Sequence, residues 1–236
     1  MNRTQLIQSL IDAYKLERYL EIGLGDPYDN FLKIHCKYKE SCDFYNSNNG
    51  YDYSCHDPAI RKFIERGILT YNMSSDHMFF DFSGDKIFDL IFVDGLHTSD
   101  QVFKDICNSM MHLSPNGFIV CHDAIPLNEA AATKERHTMD WNGDVYRVFP
   151  ILDRLGVKFN IVDLKNDFGT AVIQYSCDFE QQVKFGMVKD EMLKSEYGFT
   201  YNDIFHNKII RDKMMNVLTE QQFKDLYINN NVYSSK

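Results

Sequence analysis

The sequence predicts an α/β fold built on a doubly wound, mostly parallel sheet, and three observations carry that prediction. Short apolar runs of strand length recur along the chain, with helical periodicity between them. The run from Phe88 to Val93 (FDLIFV) is apolar almost throughout, as suits a strand covered on both faces. It ends on Asp94, with His97 three residues later, and in open α/β sheets ligands bind outside the carboxyl ends of the strands.

Taken in order, Thr4 is a candidate cap for a first helix running to Tyr14, and RYLEIG gives a strand ending near Gly23. Helical periodicity follows through DNFLKIH. ILTYNM (Ile68 to Met73), FDLIFVD, GFIVCHD (Gly117 to Asp123), VKFNIVD (Val157 to Asp163) and GTAVIQY (Gly169 to Tyr175) are further strands, and TSDQVFKDICNSMMHL is a helix. The last two strands are joined by the short polar LKND, which suits a hairpin and an antiparallel edge strand. From about Asp178 the alternation stops. EQQVKFGMVKDEML and DKMMNVLTEQQFKDLY read as helices, giving a helical appendage over 178–236 after a main domain over 1–177. The polar stretches Asp43 to Arg61 and Ala130 to Asp144 are long loops, expected to act as lids.

A chain of 236 residues is long enough for one large core and short for two. Its formal net charge of -9 disfavours a nucleic-acid partner, which would require clustered Lys and Arg. The six cysteines form no C-x-x-C pair and read as reduced thiols. No run of 18 apolar residues and no signal-type amino terminus is present, so a soluble cytoplasmic protein without a membrane partner is expected.

Glu21-Ile22-Gly23-Leu24-Gly25 places a Gly-x-Gly turn directly after a strand, where backbone can approach a ligand. The turn continues into Asp26-Pro27-Tyr28-Asp29, whose carboxylates would repel a pyrophosphate and so disfavour a nicotinamide dinucleotide. S-adenosylmethionine, with a sulfonium and an ammonium and no phosphate, has the opposite preference and would be attracted by Glu21, Asp26 and Asp94. Locally, Asp26 also reads as a helix cap with Pro27 at the first position.

The ordered set YLEIGLGDPYDNF, CDF, MSSDHMFF, FDLIFVDGLH, LSPNGFIVCHDAIP and WNGDVYRVF resembles class I S-adenosylmethionine-dependent methyltransferases. In detail it is similar to the metal-dependent subgroup that contains macrocin-type sugar O-methyltransferases. The resemblance spans Leu16 to Tyr175. It implies a Rossmann-like seven-stranded sheet of order 3-2-1-4-5-7-6 with the last strand antiparallel. It also implies that Glu21, Gly23 and Gly25 form the cofactor loop, that Asp43 binds the ribose hydroxyls, and that Ser75 and Asp76 line the adenine. For the ribose role Asp52 and Asp57 compete with Asp43.

Methyl transfer to an alcohol oxygen needs help with the hydroxyl proton, from a base or a metal. His97 is the expected base, because the resemblance places a catalytic Lys or His three residues beyond the aspartate, and imidazole titrates near neutrality. Asp94 would serve catalysis, cofactor and metal together. With His122 and Asp123 it would form a divalent-cation site, and an imidazole ligand suits manganese better than magnesium. A purely structural His122 is the alternative. Trp141 and Asp144 are candidates for holding a sugar, through an aromatic face and a hydroxyl acceptor, with core packing of the tryptophan as the alternative. The expected acceptor is a small molecule or glycan. A catechol or other phenol, and a catalytically silent binding protein, are the rival functions. A homodimer is left open.

Overall fold

The computed structural model describes residues 1–45, 58–81, 86–164, 167–174 and 199–229. The strands are β1 (Arg18–Ile22), β2 (Tyr38–Asp43), β3 (Tyr71–Asn72), β4 (Phe88–Val93), β5 (Leu113–Cys121), β6 (Phe159–Leu164), β7 (Asp167–Gln174) and β8 (Val217–Leu218). They form one sheet of order β3-β2-β1-β4-β5-β7-β6-β8. β1 to β5 pair in parallel, and β7 runs antiparallel to both β5 and β6. The fold is thus the expected doubly wound α/β sheet, with one strand more than expected.

Successive residues of each strand serve opposite faces, because the side-chain period of a strand is two. In β4, Ile91 and Val93 enter one core layer while Leu90 and Phe92 enter the other. The first layer is covered by α4 (Ser99–Met111), through Val102, Phe103, Ile106 and Met110, and by α5 (Val148–Arg154), through Val148, Phe149 and Leu152. The second is covered by α1 (Arg3–Tyr14), whose Leu6, Ile7, Leu10 and Ile11 are buried at helical spacing. At about 1.5–3 kcal/mol for each buried side chain, these four fix α1 firmly on the sheet. α1 is capped by Asn2, in a box with Gln5, and not by Thr4. Thr4 Oγ1 instead donates to Asn30 Oδ1 at 2.8 Å.

Three local expectations change. The helix foreseen through DNFLKIH contracts to a 3-10 turn, Phe31–Lys33, because Lys39 Nζ takes the Phe31 and Ile34 carbonyls and Asn30 is drawn into a buried network. β3 is trimmed to two residues, since the amides of Ile68 and Leu69 go to the Phe63 carbonyl that ends α2 (Pro58–Glu65). The second foreseen tail helix is interrupted. Lys208–Met214 is helical, Val217–Leu218 is β8, paired in parallel with β6, and a helix resumes at Glu220. Ile204 and Met215 enter one core layer, Phe223 and Tyr227 the other, so the tail wraps the edge of the sheet. The first foreseen tail helix, Asp52, Asp57 and the middle of LKND lie outside the described residues. Among the described residues no helix is long and apolar enough to cross a membrane.

Candidate functional site

The parallel strands aim their carboxyl ends at one edge, and β7, running the other way, brings its first residue there. Four loops meet at that edge. Gly23 follows β1 with φ +87°, and a Cβ on it would lie 2.0 Å from the Asp94 carbonyl oxygen, so only glycine lets the two loops touch. Gly25, at φ +50°, borders open space.

Asp94 is the hub. Its Oδ1 is 3.3 Å from His122 Nδ1 and 3.6 Å from His97 Nε2, and its Oδ2 is 3.9 Å from Arg3 Nε. Burial alone would raise its pKa, but the charge and hydrogen bonds of the two imidazoles prevail and hold it below the usual carboxylate range. Asp123, directly after His122, adopts a left-handed conformation at φ +58° and is buried. Its Oδ2 is 3.1 Å from His97 Nδ1, and its Oδ1 accepts from Asn142 Nδ2 at 2.7 Å. A non-glycine residue held there is strain of the kind found at functional sites.

His97 is held from two sides. Its Nδ1 is 2.9 Å from the Trp141 carbonyl, and the two rings stack with centroids 5.3 Å apart. A carbonyl can only accept, so Nδ1 carries the proton, and a neutral His97 has its lone pair on Nε2. Burial would lower the pKa of His97. The hydrogen bond to Asp94 and the charges of Asp123 and Asp94 outweigh it and push the pKa up to about 9.

Asp94, His97 and Asp123 offer ligand atoms that all lie within 4.8 Å of one another, a set of two carboxylates and one imidazole suited to a hard or borderline divalent cation. The expected set paired Asp94 and Asp123 with His122, where this cluster has His97. His122 turns Nδ1 to Asp94 and Asp123 and Nε2 to Asp167, so carboxylates face both nitrogens. Burial opposes its charge, yet Asp123, Asp94 and Asp167 raise its pKa well above the ordinary value.

The other expected residues have partners of their own. Asp43, at the end of β2, accepts from the Gly25 amide at 2.8 Å, tying the glycine turn to the neighbouring strand. Glu21 is buried beneath the turn, its Oε2 accepting from Tyr19 Oη and from Asn30 Nδ2 at 2.8 Å. Ser75 and Asp76 open α3 (Ser75–Asp81) and are bridged to buried Asp105 by Gln101 Nε2. The stretch 141–144 packs against His97. Gly143 presses on His97 so closely that a Cβ would lie 1.6 Å from its carbonyl oxygen. Asp144, expected to hold a sugar, is 3% exposed, and both its oxygens accept from Ser99, from the amide at 2.7 Å and from Oγ at 2.9 Å. It caps α4. Trp141 spends one face on His97 and donates its Nε1–H to the Thr133 carbonyl at 2.7 Å.

Arg3 and Asp167 were not foreseen from the sequence. Asp167 lay inside what read as a polar hairpin. Only the antiparallel direction of β7, which the LKND connection did suggest, could have pointed Asp167 towards the strand ends.

A family model described as a methyltransferase domain matches residues 34–124, well under half of the chain. No curated protein matches. Among solved structures, an O-methyltransferase from Bacillus cereus in complex with SAH has a TM-score of 0.50 at 14% identity, covering 74% of this chain and 82% of that one. A cofactor-bound protein from MTB, Rv0187, has a TM-score of 0.50 at 16% identity, covering 74% and 80%. At such identities the likeness establishes the fold: this is the Rossmann-like methyltransferase fold, extended here by β8.

Proposed function

We propose that this chain is an S-adenosylmethionine-dependent O-methyltransferase, assisted by a divalent cation, that methylates a hydroxyl of a sugar or glycoconjugate. The observation that carries the reading is the meeting of Asp94, His97 and Asp123 at the ends of β4 and β5, beside the Gly23 turn. The glycine turn, the open space at Gly25 and Asp43 at the end of β2 fit an adenosyl ligand, with Asp43 free to accept further bonds from a diol. The surplus of carboxylates suits a sulfonium.

Bound at Asp94 and Asp123, a divalent cation would supply charge stabilisation to the oxygen that loses its proton. The protein's own contribution is positional. Trp141 and Asp123 fix Nδ1–H of His97, so the base is Nε2, turned towards Asp94. One lone pair cannot serve as base and metal ligand at once, and the base role is the one proposed here. His122, locked between Asp167 and the two aspartates, holds those carboxylates in place and favours the ionised form of Asp94.

A second reading, a phenolic acceptor, has its own support. Leu96, next to His97, is 57% exposed, and Leu127, whose amide is held by Asn142 Oδ1 at 2.9 Å, is 55% exposed. Apolar side chains near the cluster suit a flat ring. Calorimetric titration with S-adenosylhomocysteine and with NAD tests the donor. Binding of the first alone is expected, and binding of NAD without any response to S-adenosylhomocysteine would overturn the reading. Labelled methyl transfer to sugars against catechols then separates the two acceptors.

A further inference from the structure

Arg3 lies before both the matched segment and the stretch that carries the family resemblance, yet α1 delivers it to the centre of the site. Its amide donates to Asp167 Oδ2 at 2.5 Å, and the helix behind it is fixed by its buried face and the Asn2 cap. The guanidinium is a different matter. A guanidinium carries five N–H donors in a planar fork. Among the described residues none of them makes a hydrogen bond, and Nε is buried without a partner. The nearest acceptors, Asp94 Oδ2 at 3.9 Å from Nε and Asp167 Oδ1 at 3.6 Å from Nη1, lie at ion-pair range and beyond a good hydrogen bond.

Asp94 matches this on its own side. Its Oδ1 faces the two imidazoles, and its Oδ2 faces Arg3. A cationic fork and an acidic oxygen therefore stand side by side, both underused, at the glycine turn. A lone anion on Arg3 would meet repulsion from Asp94, Asp123, Asp167 and Asp29, all of which act electrostatically on that guanidinium. A zwitterion would not, because its ammonium answers Asp94 while its carboxylate takes the fork.

We infer that Arg3 and Asp94 together receive an α-amino-carboxylate head group, with Arg3 binding the carboxylate through its terminal nitrogens. The inference rests on the reading of S-adenosylmethionine as methyl donor, whose methionine end is such a head group. Arg3 is then a binding residue for the donor, supplied from outside the strand–loop motifs.

Calorimetric titrations with S-adenosylhomocysteine and with its decarboxylated analogue, S-adenosyl-3-thiopropylamine, test it. The wild type is expected to bind S-adenosylhomocysteine at least about tenfold more tightly, the order expected when a charged hydrogen-bond partner is lost. Arg3→Met should lose that factor for S-adenosylhomocysteine and hardly change for the analogue, so the ratio falls towards one. Equal loss for both ligands, or no loss, would overturn the inference and leave Arg3 a structural residue. Should Arg3→Met not fold, the wild-type ratio decides alone, and a ratio near one is equally fatal. Wild-type protein that binds neither ligand would instead overturn the methyl-donor reading itself.

Discussion

The carbonyl oxygen of Trp141 stands 2.9 Å from Nδ1 of His97, and the two rings stack at 5.3 Å, so one residue fixes both the tautomer and the plane of the other. Trp141→Ala removes the stacking partner and the Nε1–H bond to Thr133 that anchors its loop. Turnover should fall about tenfold or more, because a base misplaced by an ångström loses its alignment. Affinity for S-adenosylhomocysteine should stay near the wild-type value. An equal fall in donor affinity would show that the tryptophan supports the whole site.

His97→Ala should lower turnover by roughly two to four orders of magnitude, the range for a positioned general base. Only the neutral imidazole accepts a proton, so activity should rise with pH. With the pKa of His97 pushed up to about 9, the rising limb lies above neutrality, and a cation that neutralises Asp94 and Asp123 should move it down. A pH-rate profile of the wild type, with and without added metal, checks the sign. A rate that falls from pH 7 to 9 would remove His97 as base.

The doubly wound sheet was legible because its strands are short apolar runs whose period places them, and Asp94, His97 and Asp123 were legible because strand ends are where such a sheet binds. What joins them was not. Arg3 sits a helix away in sequence and Asp167 in a hairpin, and only the direction of β7 and the docking of α1 bring them within reach of Asp94. The contact of His122 with Asp167 was hidden for the same reason, since the two are 45 residues apart in the chain. Asp144 read as a sugar contact because nothing in WNGD reveals that Ser99 will claim it.

The tail read as an appendage because the strand alternation ends before it, and β8 is only two residues long. Phe223 is fully buried in the same core layer as α1. Phe223→Ala should therefore destabilise the protein by about 3–5 kcal/mol, the cost of emptying a core aromatic site. The shift of the denaturant midpoint measures it. A change below about 1 kcal/mol, the level of ordinary surface substitutions, would mean that the tail does not share the core.

Glu21 gives a stability prediction with a definite sign. Burial raises its pKa from 4.5 to about 8, against the lowering effect of the Tyr19 and Asn30 hydrogen bonds. A carboxyl whose folded pKa is raised contributes stability that is present below the unfolded pKa and is lost as pH climbs through the folded one. The protein should thus weaken between about pH 4.5 and 8 through this group, and Glu21→Gln should flatten that slope and gain stability at pH 8. Denaturation curves of both proteins at pH 5 and pH 8 decide it. A variant less stable at pH 8 would mean that Glu21 is ionised and paired in the folded state.

We propose that Asp94, His97 and Asp123 assemble a cation-assisted site for methyl transfer. The most direct measurement is transfer of labelled methyl from S-adenosylmethionine to a hydroxyl acceptor by exhaustively chelated protein, before and after metal is returned, with elemental analysis alongside. Activity should be lost on chelation, restored by manganese at least as well as by magnesium, and absent in Asp94→Asn and Asp123→Asn. Full activity in chelated protein shown to be free of metal would contradict it.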